Sequence, residues 1–144
     1  MEIKRLLLVE DSDDDVFIFM RGVKQTRVEV KIDRVCNAYD ALDLVTRVCP
    51  DLITLDINLP GTGGLELLRE LRNRRALERT PIVMMSDTKA DSDVELSYMF
   101  GANSFVQKPL DYEEYINRVG IVLDYWLHSN CVAISDRVLS AVVR

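Results

Sequence analysis

Between residues 5 and 107, five short apolar runs alternate with longer stretches in which apolar residues recur every three or four positions. The runs are RLLLV (5–9), VEVKIDRV (28–35), DLITLD (51–56), PIVMMS (81–86) and SFVQ (104–107). Runs of this length suit strands, and the intervening segments near 14–26, 38–48, 64–75, 90–100 and 111–127 carry helical spacing. Ser12 ahead of Asp13, and Asp111 ahead of Glu113 and Glu114, are helix start signals. Runs 1, 3 and 4 are almost unbroken apolar stretches, so those strands are expected to be covered on both faces. That requires a mostly parallel sheet with helices on either side. The second run alternates, as an edge strand does.

Five βα units wind most simply into a flavodoxin-like (βα)5 doubly wound parallel sheet of strand order 2-1-3-4-5. Strands 1 and 3 are then neighbours at the topological switch point, and function is expected at their C-terminal ends. The unusual polar residues fall there. Glu10 and Asp11 follow strand 1, Asp56 closes strand 3, Ser86 closes strand 4, and Lys108 with Pro109 follows strand 5. A charge at the end of a buried strand needs a partner, because desolvating it alone costs several kcal/mol, on the order of the burial penalties for ions.

Two like charges about 4 Å apart repel by roughly 4 kcal/mol at an effective dielectric of about 20, so three clustered carboxylates require a cation. An oxygen-only donor set without His or Cys favours Mg2+ over zinc or copper, and Mg2+ binds through one or two carboxylates plus a phosphate. Lys108 can stand as a point charge opposite that phosphate, and the Ser86 hydroxyl can donate to one of its oxygens. The chemistry this edge permits is phosphoryl transfer to Asp56, giving an aspartyl phosphate. In INLPGTGG, Pro60 and the glycines permit a tight bend, and the Asn58 carbonyl is a candidate metal ligand. With no GxxxxGK[ST] and no GxGxxG, these glycines read as a turn and not a nucleotide loop. Asp13, Asp14 and Asp15, at an expected helix start, read as caps and dipole partners and stand outside the expected site.

Composition narrows the class. A chain of 144 residues, 48% hydrophobic and 29% charged, fits one globular domain with a sizeable core. Its net charge of −6, with no basic stripe interleaved with aromatics, argues against direct binding of nucleic acid. The run Leu6 to Val9 is too short for a signal-peptide core or a membrane span. Cys36, Cys49 and Cys131 are widely spaced with no CxxC pair, and His128 is the single histidine. They are expected to be reduced packing residues of a cytoplasmic protein. His128 lies beyond the last helix, away from the site, and is not expected to be a phosphorelay histidine.

Four segments in order, VEDSDDD, LDINLPGTGG, MMS and GANSFVQKPL, resemble the motifs of the receiver domain of bacterial two-component response regulators. The resemblance covers roughly residues 4 to 127. It implies that Asp56 is the phosphoacceptor, Asp11 a direct metal ligand, Glu10 a ligand through water, and Asn58 the donor of a backbone carbonyl to the metal. It further implies Ser86 as the hydroxyl switch, Phe105 as the switch aromatic, Lys108 as the lysine that contacts the phosphoryl group, and a cis bond before Pro109. Mg2+ as cofactor and a sensor histidine kinase as partner follow from it. The stretch from Thr80 to Tyr115, with DYWL after it, is similar to the stand-alone regulators paired with bacterial and cyanobacterial phytochromes, although Met85-Ser86-Asp87 replaces a more threonine-rich run.

The last helical segment carries more apolar surface than one face needs. Tyr112, Ile116, Val119, Leu123 and Trp126 form the expected core stripe, leaving Tyr115, Ile121, Val122 and Tyr125 outside it. Residues 1–127 are expected to form the receiver domain and 128–144 a tail, with no separate output domain. A spare apolar face then points to a second copy of the chain, and the resemblance implies a homodimer through helix 4, strand 5 and helix 5. The tail residues Val138, Leu139, Val142 and Val143 extend that contact or cover the domain's own core. Two other classes compete. A scaffold that is never phosphorylated would not need the acidic set, and a Mg2+-dependent phosphatase would want a second Asp where Asn58 stands.

Overall fold

The computed structural model describes residues 2–132. Five parallel strands form one sheet, β1 (Lys4–Val9), β2 (Val30–Val35), β3 (Leu52–Asp56), β4 (Ile82–Ser86) and β5 (Ser104–Gln107), in the order β2-β1-β3-β4-β5. Five helices connect and cover them: α1 (Asp13–Val23), α2 (Ala38–Leu44), α3 (Gly64–Arg72), α4 (Asp91–Met99) and α5 (Tyr112–Asp124). This is the flavodoxin-like winding expected from the alternation. β3 and β4 are buried along their whole length, whereas every residue of the edge strands β2 and β5 keeps some exposure.

Strand alternation sorts the core into two layers. Leu7, Val9, Ile53, Leu55, Ile82 and Met84 face α2 and α3. Leu6, Leu8, Leu52, Val83 and Met85 face α1 and α5, where Phe19, Val119 and Leu123 complete the packing. Fully burying one Leu or Val is worth about 1.5–3 kcal/mol, so both layers contribute heavily. On the second face α1 and α5 cross closely at Gly22. A Cβ there would stand 2.5 Å from Val119 Cβ, so only glycine permits the approach.

Three helices begin on side chains placed to cap them: Ser12 accepts from Asp15 N, Asn37 from Asp40 N, and Asp111 from Glu114 N. The helices end earlier than periodicity suggests. After Leu44 the chain closes with three-residue turns, Thr46 N to Asp43 O and Arg47 N to Leu44 O, and after Asp124 it continues as one π turn, Tyr125–Ser129. Apolar residues past these points kept the helical spacing alive without an α ladder.

Three expectations need correction. Tyr112 is 40% exposed, while Tyr115 and Val122 are buried, so the inward stripe of α5 is Tyr115, Ile116, Val119, Val122 and Leu123. A covering helix buries a stripe about 100° wide, broader than the single row of fours and threes. The cysteines are free but exposed instead of packed, because they lie in connections or just past the last turn. No cis peptide bond occurs among the described residues, so the Lys108–Pro109 bond is trans, the isomer that proline favours by about 0.5–1 kcal/mol. The tail residues Val138, Leu139, Val142 and Val143 lie outside the described residues.

Candidate functional site

The switch point between β1 and β3 gathers the charges. β1 delivers Glu10 and Asp11 just past Val9, and β3 delivers Asp56 as its last residue. Glu10 is 4% exposed and Asp56 7%, while Asp11 stands in solvent. One carboxylate oxygen from each of the three lies within 4.8 Å of the others. This hard-oxygen set fits a cation such as Mg2+ or Mn2+, which would offset the repulsion between them.

The turn after β3 is held by backbone and by small residues. Asn58 N donates to Asp56 Oδ1 at 3.0 Å, which fixes the carboxylate's orientation. Gly64 N donates to Ile57 O at 2.8 Å as α3 begins. A Cβ on Gly64 would fall 2.1 Å from Asp56 O, so glycine at this position lets α3 start directly against the end of β3. Gly61 and Gly63 have φ of 78° and 86°, the left-handed conformation that favours glycine. The GTGG stretch therefore shapes the bend beneath Asp56, as its composition suggested.

From the far side comes Lys108, 3% exposed, on the segment after β5. Its ammonium donates to Glu10 Oε1 at 2.6 Å, Asp15 Oδ2 at 2.8 Å and Asp56 Oδ2 at 3.3 Å. Burial alone would push this ammonium down. The bonds to Asp15 and Glu10 oppose burial and hold it charged, well above the ordinary lysine value. Burial also dominates at Glu10 and lifts its carboxyl to about 7; Lys108 pulls the other way and Asp56 adds to the rise. The buried Tyr115 phenol is pushed up by desolvation, against the pull of Lys108, and stays neutral. Beneath these groups lies a cavity of about 10 Å³ lined by Glu10, Asp15, Thr54, Asp56, Lys108 and Tyr115 together with apolar neighbours.

The remaining expected residues sit around this centre. Ser86 is fully buried, one step past the position that pairs with Asp56, and its hydroxyl accepts from Thr88 N at 3.3 Å. Asn58 is exposed at the turn. Phe105 is half-buried against the α2 and α3 layer, and its backbone N donates to the Tyr98 hydroxyl at 3.2 Å. The structure thus brings together Glu10, Asp11, Asp56 and Lys108, with Ser86 close by in the sheet, and keeps Phe105 outside the acidic cluster.

Two participants went unread in the sequence. Asp15 contacts Lys108 although its sequence position reads as a helix start. It lies four residues after Asp11, and helical side chains lean toward the N-terminus, which aims a first-turn carboxylate back at the sheet edge. Tyr115 lines the cavity although the periodicity turned it outward. The signal was its position one turn ahead of Val119 on the inward stripe.

Likeness to known proteins agrees with this geometry. The chain matches the response regulator receiver domain over residues 6–120. It is similar in structure to the Mn2+-bound form of response regulator Rcp1, at 25% identity and a TM-score of 0.84, covering 91% of this chain and 99% of that one. It is similar to the phosphorylated cyanobacterial phytochrome response regulator RcpA, at 25% identity and a TM-score of 0.85, covering 92% and 100%. A response regulator from Hahella chejuensis shares 32% identity, with a TM-score of 0.83 over 90% of this chain and 99% of that one. With the 2-1-3-4-5 sheet and the acidic switch point already described, the chain belongs to the receiver domain family of two-component response regulators.

Proposed function

We propose that this chain is a response regulator receiver whose Asp56 accepts a phosphoryl group from the phosphohistidine of a sensor kinase. The observation that carries this reading is the placement of Asp56. Its carboxylate, 7% exposed among acidic neighbours, is held by Asn58 N on one oxygen and faced by Lys108 Nζ at 3.3 Å on the other. One oxygen of Asp56 attacks phosphorus as the P–N bond of the phosphohistidine breaks. The electron pair stays on the imidazole nitrogen, which then takes up a proton. Lys108 supplies positive charge to the transferred phosphoryl oxygens, and the Ser86 hydroxyl donates to one of them once it leaves Thr88 N. Asp11 and Asp56 directly, Glu10 through water and Asn58 through its carbonyl would hold Mg2+, which when bound offsets charge on the phosphoryl oxygens.

The same residues give the switch. Movement of Ser86 toward the phosphoryl group opens space beside β4, and Phe105 turns inward to fill it. That reshapes the face of α4, β5 and α5. Tyr98, Met99, Tyr112 and Ile121 are exposed on those two helices and Tyr125 on the turn that follows α5, an apolar surface suited to a second copy of the chain. Residues 1–127 are the receiver in this reading, and 128–144 are a tail. The likeness to RcpA, a phytochrome response regulator, supports a bacteriophytochrome as the kinase. A cytoplasmic location follows from that partnership, and no described helix is long and apolar enough to cross a membrane.

The test is intact mass after incubation with a small phosphodonor and Mg2+. Wild type is expected to gain one phosphoryl group and Asp56→Asn none. No gain in wild type, with no binding of Mg2+, would leave a scaffold with a receiver's fold.

A further inference from the structure

The lysine ammonium has three N–H donors. In Lys108 all three have carboxylate partners, and the order of distances is informative: Glu10 at 2.6 Å, Asp15 at 2.8 Å, Asp56 at 3.3 Å. The weakest contact is the one to the residue that is to be phosphorylated. For Lys108 to serve a phosphoryl oxygen on Asp56, it must turn a donor away from one of the others.

The two rivals differ in what release would cost. The Glu10 side chain is 5% exposed, and its second oxygen accepts from Ser12 N at 3.2 Å, so abandoning it would leave a buried carboxyl oxygen without its partner and force proton uptake. The Asp15 side chain is 22% exposed, and water can take the place of the lysine there at small cost. Asp15 is also a fixed post. Its backbone N is capped by Ser12 Oγ at 3.2 Å, which pins the first turn of α1. The neighbouring Asp13 cannot substitute, since it pairs with Arg34 at 2.9 Å in solvent.

We propose that Asp15 is a positioning residue that holds the Lys108 ammonium back from Asp56, and that it releases the lysine to the phosphoryl group. This rests on the phosphoacceptor reading of Asp56. Asp15 acts on the resting state only. Its loss therefore speeds gain of the phosphoryl group, because less has to be broken to bring the ammonium across. The lifetime of the aspartyl phosphate is unmoved, because Lys108 already contacts the phosphoryl group before hydrolysis begins. A merely structural role would slow the gain and shorten the lifetime together.

The experiment compares full-length wild type, Asp15→Asn and Asp15→Glu. Without metal or donor, proton exchange of the Lys108 ammonium with solvent, followed by nuclear magnetic resonance, is expected to accelerate in Asp15→Asn and to return toward wild type in Asp15→Glu. With Mg2+ and subsaturating acetyl phosphate, Asp15→Asn is expected to be phosphorylated several-fold faster with an unchanged lifetime. Unchanged ammonium exchange, or phosphorylation that is slower or unaltered, would overturn the proposal. If wild type itself takes no phosphoryl group, the phosphoacceptor reading fails and release fails with it, while ammonium exchange still decides whether Asp15 holds the lysine.

Discussion

The layer of α1 and α5 and the helix α4 on the opposite face of the sheet differ in kind. The layer of α1 and α5 is locked: α5 buries Tyr115, Ile116, Val119, Gly120, Val122 and Leu123, meets α1 across Gly22, and starts on the Asp111 cap. It also supplies Asp15 and Tyr115 to the acidic site. In the opposite layer α4 buries only Ser97, begins at Ala90 without a side-chain cap, and exposes Met99 at 75% and Tyr98 at 50%. The α1 and α5 layer supplies side chains to the site, and α4 on the other face is held by few buried contacts. Local stability in a fold is graded in this way, and moving parts are drawn from its low end.

The sharpest contrast is between two truncations. Leu123→Ala in α5 is expected to cost about 2–5 kcal/mol, the range for a fully buried large apolar side chain. Met99→Ala in α4 is expected to change stability by no more than about 0.5 kcal/mol, as for a surface position. Urea denaturation of both variants measures this, and similar losses in the two would end the distinction between the layers.

Burial of charge on the α1 and α5 side has its own signature. Glu10 has its carboxyl raised to about 7 in the folded protein, so between about 4.5 and 7 the native state binds more protons than the unfolded chain. Stability of the metal-free protein therefore falls as pH rises through that window, at roughly 1.4 kcal/mol per unit of pKa difference at most. Lys108, raised above its ordinary value, contributes stability that is fully present throughout this range and is lost only at alkaline pH. Glu10→Gln is expected to flatten the profile between pH 4.5 and 7. Melting temperatures taken across that range in chelator decide the matter, and a profile as steep in Glu10→Gln would place the burden on another group.

How much of this was legible beforehand divides along the same line. Strand runs, their order and the residues that end them, Glu10, Asp56, Ser86 and Lys108, could be read because each is a local pattern with a spacing. Asp15 could not, because a first-turn aspartate serves as dipole partner or as ligand with the same sequence; only the distance to a lysine 93 residues away separates the two. Tyr115 was hidden for a related reason. The width of a buried stripe depends on what packs against it, here α1 and the sheet together, and not on the helix's own periodicity.

The caps offer a smaller and reciprocal test. Asp111→Ala removes the acceptor for Glu114 N and is expected to cost about 1 kcal/mol. Ala90 has φ −55° and ψ 132°, an extended conformation compatible with a capping residue. Ala90→Ser is expected to stabilise α4 by about 0.5 kcal/mol, toward the low end of cap effects in an exposed helix. Thermal melts of both variants check the signs, and a loss of stability in Ala90→Ser would mean that the start of α4 is held by something other than a cap.

A comparably small effect on stability bears most directly on how α4 is tied to β5. The Tyr98 hydroxyl accepts from Phe105 N at 3.2 Å, covering one donor on the outer edge of β5, while Arg118 Nη1 donates to Gln107 O further along the same strand. Because Tyr98 is half exposed, water replaces its hydroxyl in Tyr98→Phe, and the cost is expected to be about 0.5 kcal/mol. Yet that bond is a direct tie between α4 and the backbone of Phe105. Amide exchange at Phe105 is therefore expected to rise several-fold in Tyr98→Phe, while exchange in the buried middle of α5 stays as in wild type. An equal rise at Phe105 and in the middle of α5 would mean that α4, β5 and α5 open as one unit, and the loosely held part would then have to be sought in the connections instead of in α4.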